Sequence, residues 1–214
     1  MATPKLLIFD WDGTLCDSVD RIATCIRLAA ADNGLAVPSY AAASDIIGLG
    51  LKECIDQLFP GLAESDAERF AVAYSARFRE QDTSPCAFFP GVLDTLSDLQ
   101  ESGYILAVAT GKSRAGLDRV LMATGLFEFF DSSRCADETL SKPHPLMLEE
   151  LLVQFDVRAS DAVMVGDTEF DLAMARNANV PAIAVSYGAH SVDRLLKYKP
   201  IASIDSFSDI KKYL

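Results

Sequence analysis

Short uninterrupted apolar runs alternate with helical patterns along most of this chain. The clearest runs cover residues 5–9, 104–109, 162–165 and 181–185, and two weaker ones cover residues 129–131 and 201–204. Runs that lack strict polar–apolar alternation are typical of strands buried on both faces of a parallel sheet. Between them, apolar residues recur at helical spacing, for example at Leu117, Val120 and Leu121. The sequence therefore predicts an open α/β sheet with right-handed helical crossovers.

The stretch from about residue 17 to residue 82 has a different pattern. It contains no convincing strand, and helical spacing covers residues 19–31, 40–46, 51–59 and 63–81. We expect an all-helical domain at residues 17–83, inserted into a Rossmann-like core formed by residues 1–16 and 84–214. The linkers are predicted at residues 16–18 and 82–88.

Composition and charge narrow the class of protein. Half of the 214 residues are apolar, so a sizeable core can be buried. The net charge of −12 argues against nucleic acid or an anionic membrane as the main partner, because both would be repelled. The sequence shows no apolar stretch long enough for a membrane span and no signal-peptide pattern. The five cysteines are scattered and lack C-x-x-C spacing. We expect a cytoplasmic protein, either a monomer or a homodimer.

Polar residues follow three of the predicted strands where each strand ends. Asp10 and Asp12 follow the first, residues 110–112 close the second clear strand, and residues 166–167 follow the third. Ligands of open α/β sheets bind beyond the carboxyl ends of the strands, so these endings should converge on one crevice. Any one of these polar groups could simply be a solvated turn after a buried strand. This explains all three together poorly, because carboxylates, a hydroxyl and a lysine have complementary chemistry.

Three carboxyl groups are expected to meet in this crevice, those of Asp10, Asp12 and Asp167. Their proximity is costly without a cation, and hard oxygen ligands suit Mg²⁺, which also accepts phosphate oxygens as ligands. Thr110 offers a hydroxyl and Gly111 an unobstructed N–H to phosphate oxygens. Lys142 adds a positive charge that favours ionised Asp10. Together these groups indicate a phosphoryl-transfer site.

The same residues, in this order and spacing, resemble the four motifs of the haloacid dehalogenase superfamily. The motifs are Asp10-Trp11-Asp12-Gly13-Thr14, then Thr110, then Lys142, then Gly166-Asp167 with Asp171. They cover essentially the whole chain, and the helical insertion resembles the C1 cap of subfamily IA, the phosphoglycolate phosphatase-like branch. The resemblance implies a parallel sheet with the first strand near its middle. It also implies a Mg²⁺-dependent phosphatase acting on a small phosphorylated metabolite.

The resemblance assigns a role to each motif residue. Asp10 is the expected nucleophile, which becomes a transient aspartyl phosphate. Asp12 is the expected general acid and then base, and its backbone carbonyl is the usual family ligand to the metal. Asp167 is expected to be a direct metal ligand, as is Asp10. Asp171 is expected to support the metal through water or to pair with Lys142.

The remaining expected contacts are to substrate. Thr110, Gly111, Gly13 and Lys142 are predicted to bind the transferring phosphoryl group, and Thr110 and Lys142 also count as catalytic. The family often has Asn where this chain has Gly111, and either Lys112 or Arg114 could approach the substrate.

A glycine-containing loop at residues 47–52 is expected to matter as well. From the residues alone it is a turn between helices. The resemblance implies that Gly48 and Gly50 face the active site and help to choose the substrate. The cations of the insertion are Lys52, Arg69, Arg77 and Arg79. Any of them could contact a substrate acid, although solvated helix faces explain most of them.

Three other functions compete with the phosphatase. A β-phosphoglucomutase-like phosphomutase usually has an arginine three residues after the cap-loop glycine and a histidine after the first motif, where this chain has Leu51 and residues 19–20. A 2-haloacid dehalogenase typically lacks the second acid, so Asp12 counts against it. A binding module without activity is disfavoured because every expected catalytic residue is present.

Overall fold

The computed structural model describes residues 5–81 and 87–214 of the chain. Within these residues, the strands are β1 Leu6–Phe9, β2 Ile105–Thr110, β3 Ser132–Cys135, β4 Ala162–Gly166, β5 Ala182–Val185 and β6 Ala202–Ile204. They form a parallel sheet in the order β3-β2-β1-β4-β5-β6, with β1 near its middle. The predicted α/β fold is confirmed.

The helices follow the alternation expected from the sequence. They are α1 Val19–Asp32, α2 Tyr40–Asp45, α3 Leu51–Leu58, α4 Glu64–Gln81, α5 Val92–Glu101, α6 Arg114–Thr124, α7 Leu146–Phe155, α8 Glu169–Asn177 and α9 Val192–Leu195. Short 3₁₀ segments lie at Ala159–Asp161, Leu196–Tyr198 and Phe207–Lys212. Among the described residues, no helix combines the length and the apolar character needed to cross a membrane.

The alternation of side chains along β1 explains why both faces of the sheet are covered. Successive strand residues point to opposite faces. Leu7 and Phe9 belong to a cluster with α5, α6 and the segment Phe207–Lys212. Leu6 and Ile8 belong to a second cluster with α7, α8 and α9. All four β1 side chains are buried, which accounts for the uninterrupted apolar run.

The strand register brings the polar strand endings together. Phe9 lies beside Val108 of β2 and beside Val165 of β4. Asp10 therefore leaves the sheet at the same level at which β2 reaches Thr110 and β4 passes into Asp167. Three segments that are distant in sequence meet at one edge, as expected for the carboxyl ends of parallel strands.

Helices α1–α4 have a hydrophobic cluster of their own, separate from the two clusters on the sheet. It includes Ile22 and Ile26 from α1, Ile55 from α3, and Phe70 and Phe78 from α4. Phe59 and Phe70 meet edge to face, with ring centroids 5.2 Å apart. The predicted domain boundary between residues 83 and 84 lies outside the described residues.

The two segments that join α1–α4 to the core run side by side. The Asp17 N–H donates to the Ala87 carbonyl at 2.9 Å, and the Phe89 N–H donates to the Leu15 carbonyl at 3.0 Å. The described parts of the predicted linkers, residues 16–18 and 87–88, therefore pair with each other.

One predicted strand is wrong in position. The apolar run at residues 129–131 predicts a strand there, but β3 begins at Ser132. Phe129 and Phe130 lie in the turn before β3 and pack against the cluster beneath the sheet. β3 lies at the edge of the sheet, where a strand can be polar, so the apolar signal came from the turn.

Candidate active site

Asp10 directly follows β1, and its side chain is 1% exposed. The Lys142 Nζ lies 2.8 Å from Asp10 Oδ1. The other oxygen, Oδ2, accepts no hydrogen bond from the described residues. Burial raises the pKa of Asp10 well above its usual value, although Lys142 opposes this and the charges of Asp171 and Asp167 add to it. A buried oxygen without a hydrogen bond is available to a cation or to a reacting atom.

Lys142 lies in the loop before α7 and is fully enclosed. Its Nζ lies 2.6 Å from Asp171 Oδ1, besides its contact with Asp10. Burial alone lowers the pKa of Lys142, but the charges of Asp10 and Asp171 together raise it above the usual lysine range. Lys142 therefore carries a permanent positive charge between two carboxylates.

Asp171 is fixed by the first turn of α8. Its Oδ2 accepts hydrogen bonds from the Thr168 N–H at 3.0 Å and from Thr168 Oγ1 at 2.7 Å. The Asp171 N–H in turn donates to Thr168 Oγ1 at 3.3 Å, which completes a capping box with the Thr168 N–H bond. Its Oδ1 accepts from Lys142. Of the two roles expected for Asp171, the structure contains the pairing with Lys142, whereas a link to a metal through water stays a prediction.

Asp167 follows β4 and is held by two loops, one after β1 and one after β5. Thr14 Oγ1 donates to its Oδ1 at 2.7 Å, and the Ala189 N–H donates to its Oδ2 at 2.8 Å. A Cβ at Gly13 or at Gly188 would lie 2.2 Å from atoms of Asp167, so both loops need glycine for this approach. Burial and the charge of Asp171 raise the pKa of Asp167 to about 7.

Gly13 was expected to contact the phosphoryl group. Its N–H donates to the Cys16 carbonyl at 2.8 Å, and its φ is +80°. In this structure Gly13 therefore contributes a left-handed turn and close approach to Asp167. Its contact with substrate stays a prediction.

The carboxylate cluster fits a divalent cation. One carboxyl oxygen from each of Asp10, Asp167 and Asp171 lies within 4.8 Å of the other two. Three buried carboxyls next to a single lysine leave an excess of negative charge, which a cation relieves. All the donors are oxygens, and Oδ2 of Asp10 has no other partner among the described residues, so a hard cation matches the site.

Asp12 lies outside that cluster and points into a cavity. Ser18 Oγ donates to Asp12 Oδ1 at 2.6 Å, and Lys112 Nζ lies 2.9 Å from Asp12 Oδ2. Trp11, between the two acids, is buried edge-on against Phe88, with ring centroids 5.9 Å apart. From the sequence, Ser18 is only a linker residue, and its contact with Asp12 was missed. Ser18 precedes α1, but its hydroxyl makes no cap bond to that helix.

Thr110 and Gly111 close β2 beneath the glycine loop of the insertion. Thr110 is fully buried, and its Oγ1 accepts from the Lys112 N–H at 3.2 Å. A Cβ at Gly111 would lie 2.4 Å from the Leu49 carbonyl oxygen and 2.7 Å from that of Gly48. Any side chain at position 111 would collide with the loop, which explains why Gly111 stands where the family often has Asn.

The glycine loop contacts the core at two further points. A Cβ at Gly48 would lie 2.9 Å from Thr168 Oγ1, and the Gly50 N–H donates to Ser141 Oγ at 2.8 Å. The loop therefore covers the edge of the sheet where the polar strand endings meet. That Gly48 and Gly50 help to choose a substrate stays a prediction.

A cavity of about 570 Å³ lies between the helices of the insertion and the edge of the sheet, with Asp10 and Asp12 in its wall. Of the four cations singled out in the insertion, Lys52 and Arg79 line it. Arg69 pairs with Asp66 and Arg77 with Asp32, and neither arginine lines the cavity. From the core, Lys112 and Arg119 line it.

A polar cluster around His190, missed from the sequence, also joins the insertion to the core. His190 Nδ1 accepts from the Glu169 N–H at 3.0 Å, and Nε2 lies 3.1 Å from the Asp45 carbonyl oxygen. Burial lowers the pKa of His190, which favours the neutral ring. Arg194 pairs with both Asp45 and Glu169. No short-range sequence pattern signals this cluster, because Asp45 and Glu169 are far in the chain from His190 and Arg194.

Comparisons with known proteins identify the family to which the chain belongs. Residues 7–185 match the family model described as haloacid dehalogenase-like hydrolase. The chain is 37% identical over 209 residues to the "Probable phosphatase IndB" of Dickeya dadantii, covering 96% of this chain and 91% of the relative. It is 29% identical over 208 residues to a phosphoglycolate phosphatase of Agrobacterium fabrum, covering 95% and 89%.

A solved structure of a relative has the same fold. The crystal structure of a "predicted phosphoglycolate phosphatase" from Haemophilus somnus superposes with a TM-score of 0.84 and 27% identity, covering 100% of this chain and 99% of that one. Together with the family match over residues 7–185, this shows that the chain belongs to the haloacid dehalogenase-like hydrolases.

Proposed function

We propose that the chain is a Mg²⁺-dependent phosphatase that hydrolyses a small phosphorylated metabolite through an aspartyl phosphate on Asp10. The observation that carries this proposal is the buried carboxyl group of Asp10, which lies among Lys142, Asp167 and Asp171 and whose Oδ2 accepts no hydrogen bond from the described residues. The printed names of two relatives, a probable phosphatase and a phosphoglycolate phosphatase, support the same class of reaction.

The metal would be held by the carboxylates of Asp10 and Asp167 and by the backbone carbonyl of Asp12. When bound, Mg²⁺ neutralises charge on the phosphate oxygens. Asp171 already accepts hydrogen bonds at both oxygens, so we assign it chiefly to positioning Lys142. Lys142 in turn orients Asp10 and favours its ionised form.

The first half of the reaction transfers the phosphoryl group to the protein. Asp10 Oδ2 attacks phosphorus, and the bond from phosphorus to the ester oxygen breaks. Asp12 gives its proton to the leaving oxygen, which departs as an alcohol. The hydroxyl of Thr110 and the N–H of Gly111 are assigned to the oxygens of the transferring group.

The second half returns the protein to its starting state. Asp12, now a carboxylate, takes a proton from a water that attacks the phosphorus of the aspartyl phosphate. The bond from phosphorus to Asp10 breaks, and inorganic phosphate is released. Ser18 and Lys112 hold the Asp12 carboxylate on the side of the cavity, where both the leaving group and the water can reach it.

We assign residues 17–83 to a cap that covers the site during these steps. The loop at Gly48–Gly50 lies directly on Gly111, and residues of α1 and α4 line the cavity beside it. Exclusion of bulk water protects the aspartyl phosphate and strengthens the electrostatic contacts around it. A dehalogenase has no task for Asp12, whereas a phosphatase uses it in both halves of the reaction.

The test is phosphate release from p-nitrophenyl phosphate with Mg²⁺ and with EDTA. We expect activity that EDTA removes and that Asp10→Asn abolishes. The matched control is Asp94→Asn, the same change at an exposed carboxylate of α5. Full activity in the Asp10→Asn variant would exclude Asp10 as the nucleophile, and full activity in EDTA would exclude the metal.

A further inference from the structure

The size of the cavity bears on which phosphate ester this protein hydrolyses. At about 570 Å³ it lies within the range of pockets that enclose ligands of drug size, roughly 300–1,000 Å³. Asp10 and Asp12 occupy one wall, so a bound phosphoryl group takes up only that end. Most of the space remains for the leaving group, and glycolate, a two-carbon acid, would leave much of it unfilled.

The wall that faces the leaving group is apolar. It is built mainly from Ile22 and Ile26 of α1, Ile46 and Ile47 beside the glycine loop, and Tyr74 and Phe78 of α4. The four isoleucines are only 2–7% exposed, whereas Leu49, Leu51 and Tyr74, which line the same cavity, are partly buried and more accessible to a ligand. Apolar walls gain free energy by burying apolar ligand surface and give a small acid nothing to bind.

The cations that the insertion contributes to the cavity are poorly placed to bind a short acid. The Lys52 side chain is 85% exposed, with its Nζ 3.5 Å from Asp56 Oδ2, and Arg79 is exposed. The other two cations of the lining, Lys112 and Arg119, belong to the core: Lys112 is engaged with Asp12, and both lie over the Phe78 ring, at 4.9 Å and 5.7 Å from its centre. The insertion therefore presents apolar side chains, and not a dedicated cation, to the leaving group.

We infer that the physiological substrate is a phosphomonoester whose leaving group has an apolar body of about the size of a six-membered ring or larger, packed against the apolar wall of the cavity. This inference rests on the proposed phosphatase function and specifies its substrate class. Phosphoglycolate, the substrate in the names of several relatives, is then a poor substrate for this chain.

The test compares esters whose leaving alcohols have similar basicity, so that chemical reactivity does not decide the outcome. The probes are 2-phenylethyl phosphate, cyclohexylmethyl phosphate, ethyl phosphate and 2-phosphoglycolate, each with Mg²⁺. We expect kcat/KM for the two ring-bearing esters to exceed that for ethyl phosphate and for phosphoglycolate at least about tenfold, since even one methylene in an apolar pocket is worth about tenfold or more.

Two variants that fill the cavity test whether the cavity causes the preference for ring-bearing esters. In Ile26→Phe and in Ser75→Phe, the ratio of kcat/KM for 2-phenylethyl phosphate to that for phosphoglycolate should fall about tenfold. Ile26 is deeply buried, whereas Ser75 is an exposed residue in the cavity wall, so Ser75→Phe decides the matter if Ile26→Phe does not fold. Val72→Phe, on the same helix but outside the cavity lining, is the control and should leave the ratio unchanged.

The outcomes separate the inference from the proposed function. Phosphate release from phosphoglycolate faster than from the ring-bearing esters, or an unchanged ratio in both filling variants, overturns the inference and leaves the phosphatase intact. No release from any of the four esters overturns the proposed function, and the substrate class with it.

Discussion

The buried carboxyl of Asp167 predicts an unusual dependence of stability on pH in the metal-free protein. Its pKa is raised from 3.8 to about 7 in the folded state. Between those two pH values the folded protein keeps the proton while the unfolded chain loses it. The free energy of unfolding must therefore fall as pH rises, by about 1.4 kcal/mol per pH unit.

Summed over the interval from pH 3.8 to pH 7, this contribution reaches at most about 4 kcal/mol, a large part of the stability of a typical domain. It levels off at about pH 8. Other groups titrate in the same range, so the useful quantity is the difference between wild type and Asp167→Asn, in which this titration is absent. Relative to the variant, wild type should lose about 2 kcal/mol between pH 5 and pH 7.

The assay is urea unfolding in EDTA at pH 5, 6, 7 and 8, for wild type and for Asp167→Asn. Repeating the series with Mg²⁺ should stabilise wild type more at pH 8 than at pH 5, because a cation competes with the proton for the carboxylate. A difference between the two proteins that stays constant from pH 5 to pH 8 would refute the reasoning, since it would mean that Asp167 is ionised throughout.

Three further predictions concern single contacts. Gly111→Ala places a Cβ against the Leu49 carbonyl oxygen, so the glycine loop must shift, and kcat/KM should fall about 100-fold in a phosphate-release assay. Lys142→Met leaves two buried carboxylates without their countercharge, and urea unfolding should show a loss of about 3–5 kcal/mol. Ser18→Ala removes the 2.6 Å bond to Asp12; we expect kcat to fall about tenfold at constant KM, and a change in KM alone would contradict this.

The centre of the sheet was predictable because burial on both faces leaves a direct trace in the sequence. β1 has four consecutive buried residues, and the polar residue that ends such a run marks the edge where ligands bind. β3 was misplaced because an edge strand needs no apolar run, whereas Phe129 and Phe130 in the preceding turn supply one.

The contacts that depend on side-chain direction could not be predicted. Periodicity places Arg69 and Arg77 on helices but does not say that they pair with Asp66 and Asp32 outside the cavity. The contact between His190 and Asp45 joins residues 145 positions apart, and no local rule connects them. In the same way, the sequence indicates that the Gly111 N–H is unobstructed. Only the structure shows that position 111 must be glycine, because the loop at Gly48 and Leu49 lies against it.

The paired linkers have a consequence for how such a protein can change over evolutionary time. The chain leaves the core at Asp17 and returns at Ala87, and these two residues are joined by one hydrogen bond. A different helical module whose ends meet at the same spacing could be exchanged for α1–α4 without moving the strands that position Asp10 and Asp167. On the proposal that α1–α4 contact the leaving group, replacing this one contiguous segment would change the substrate and leave the proposed chemistry of Asp10 and Asp167 in place.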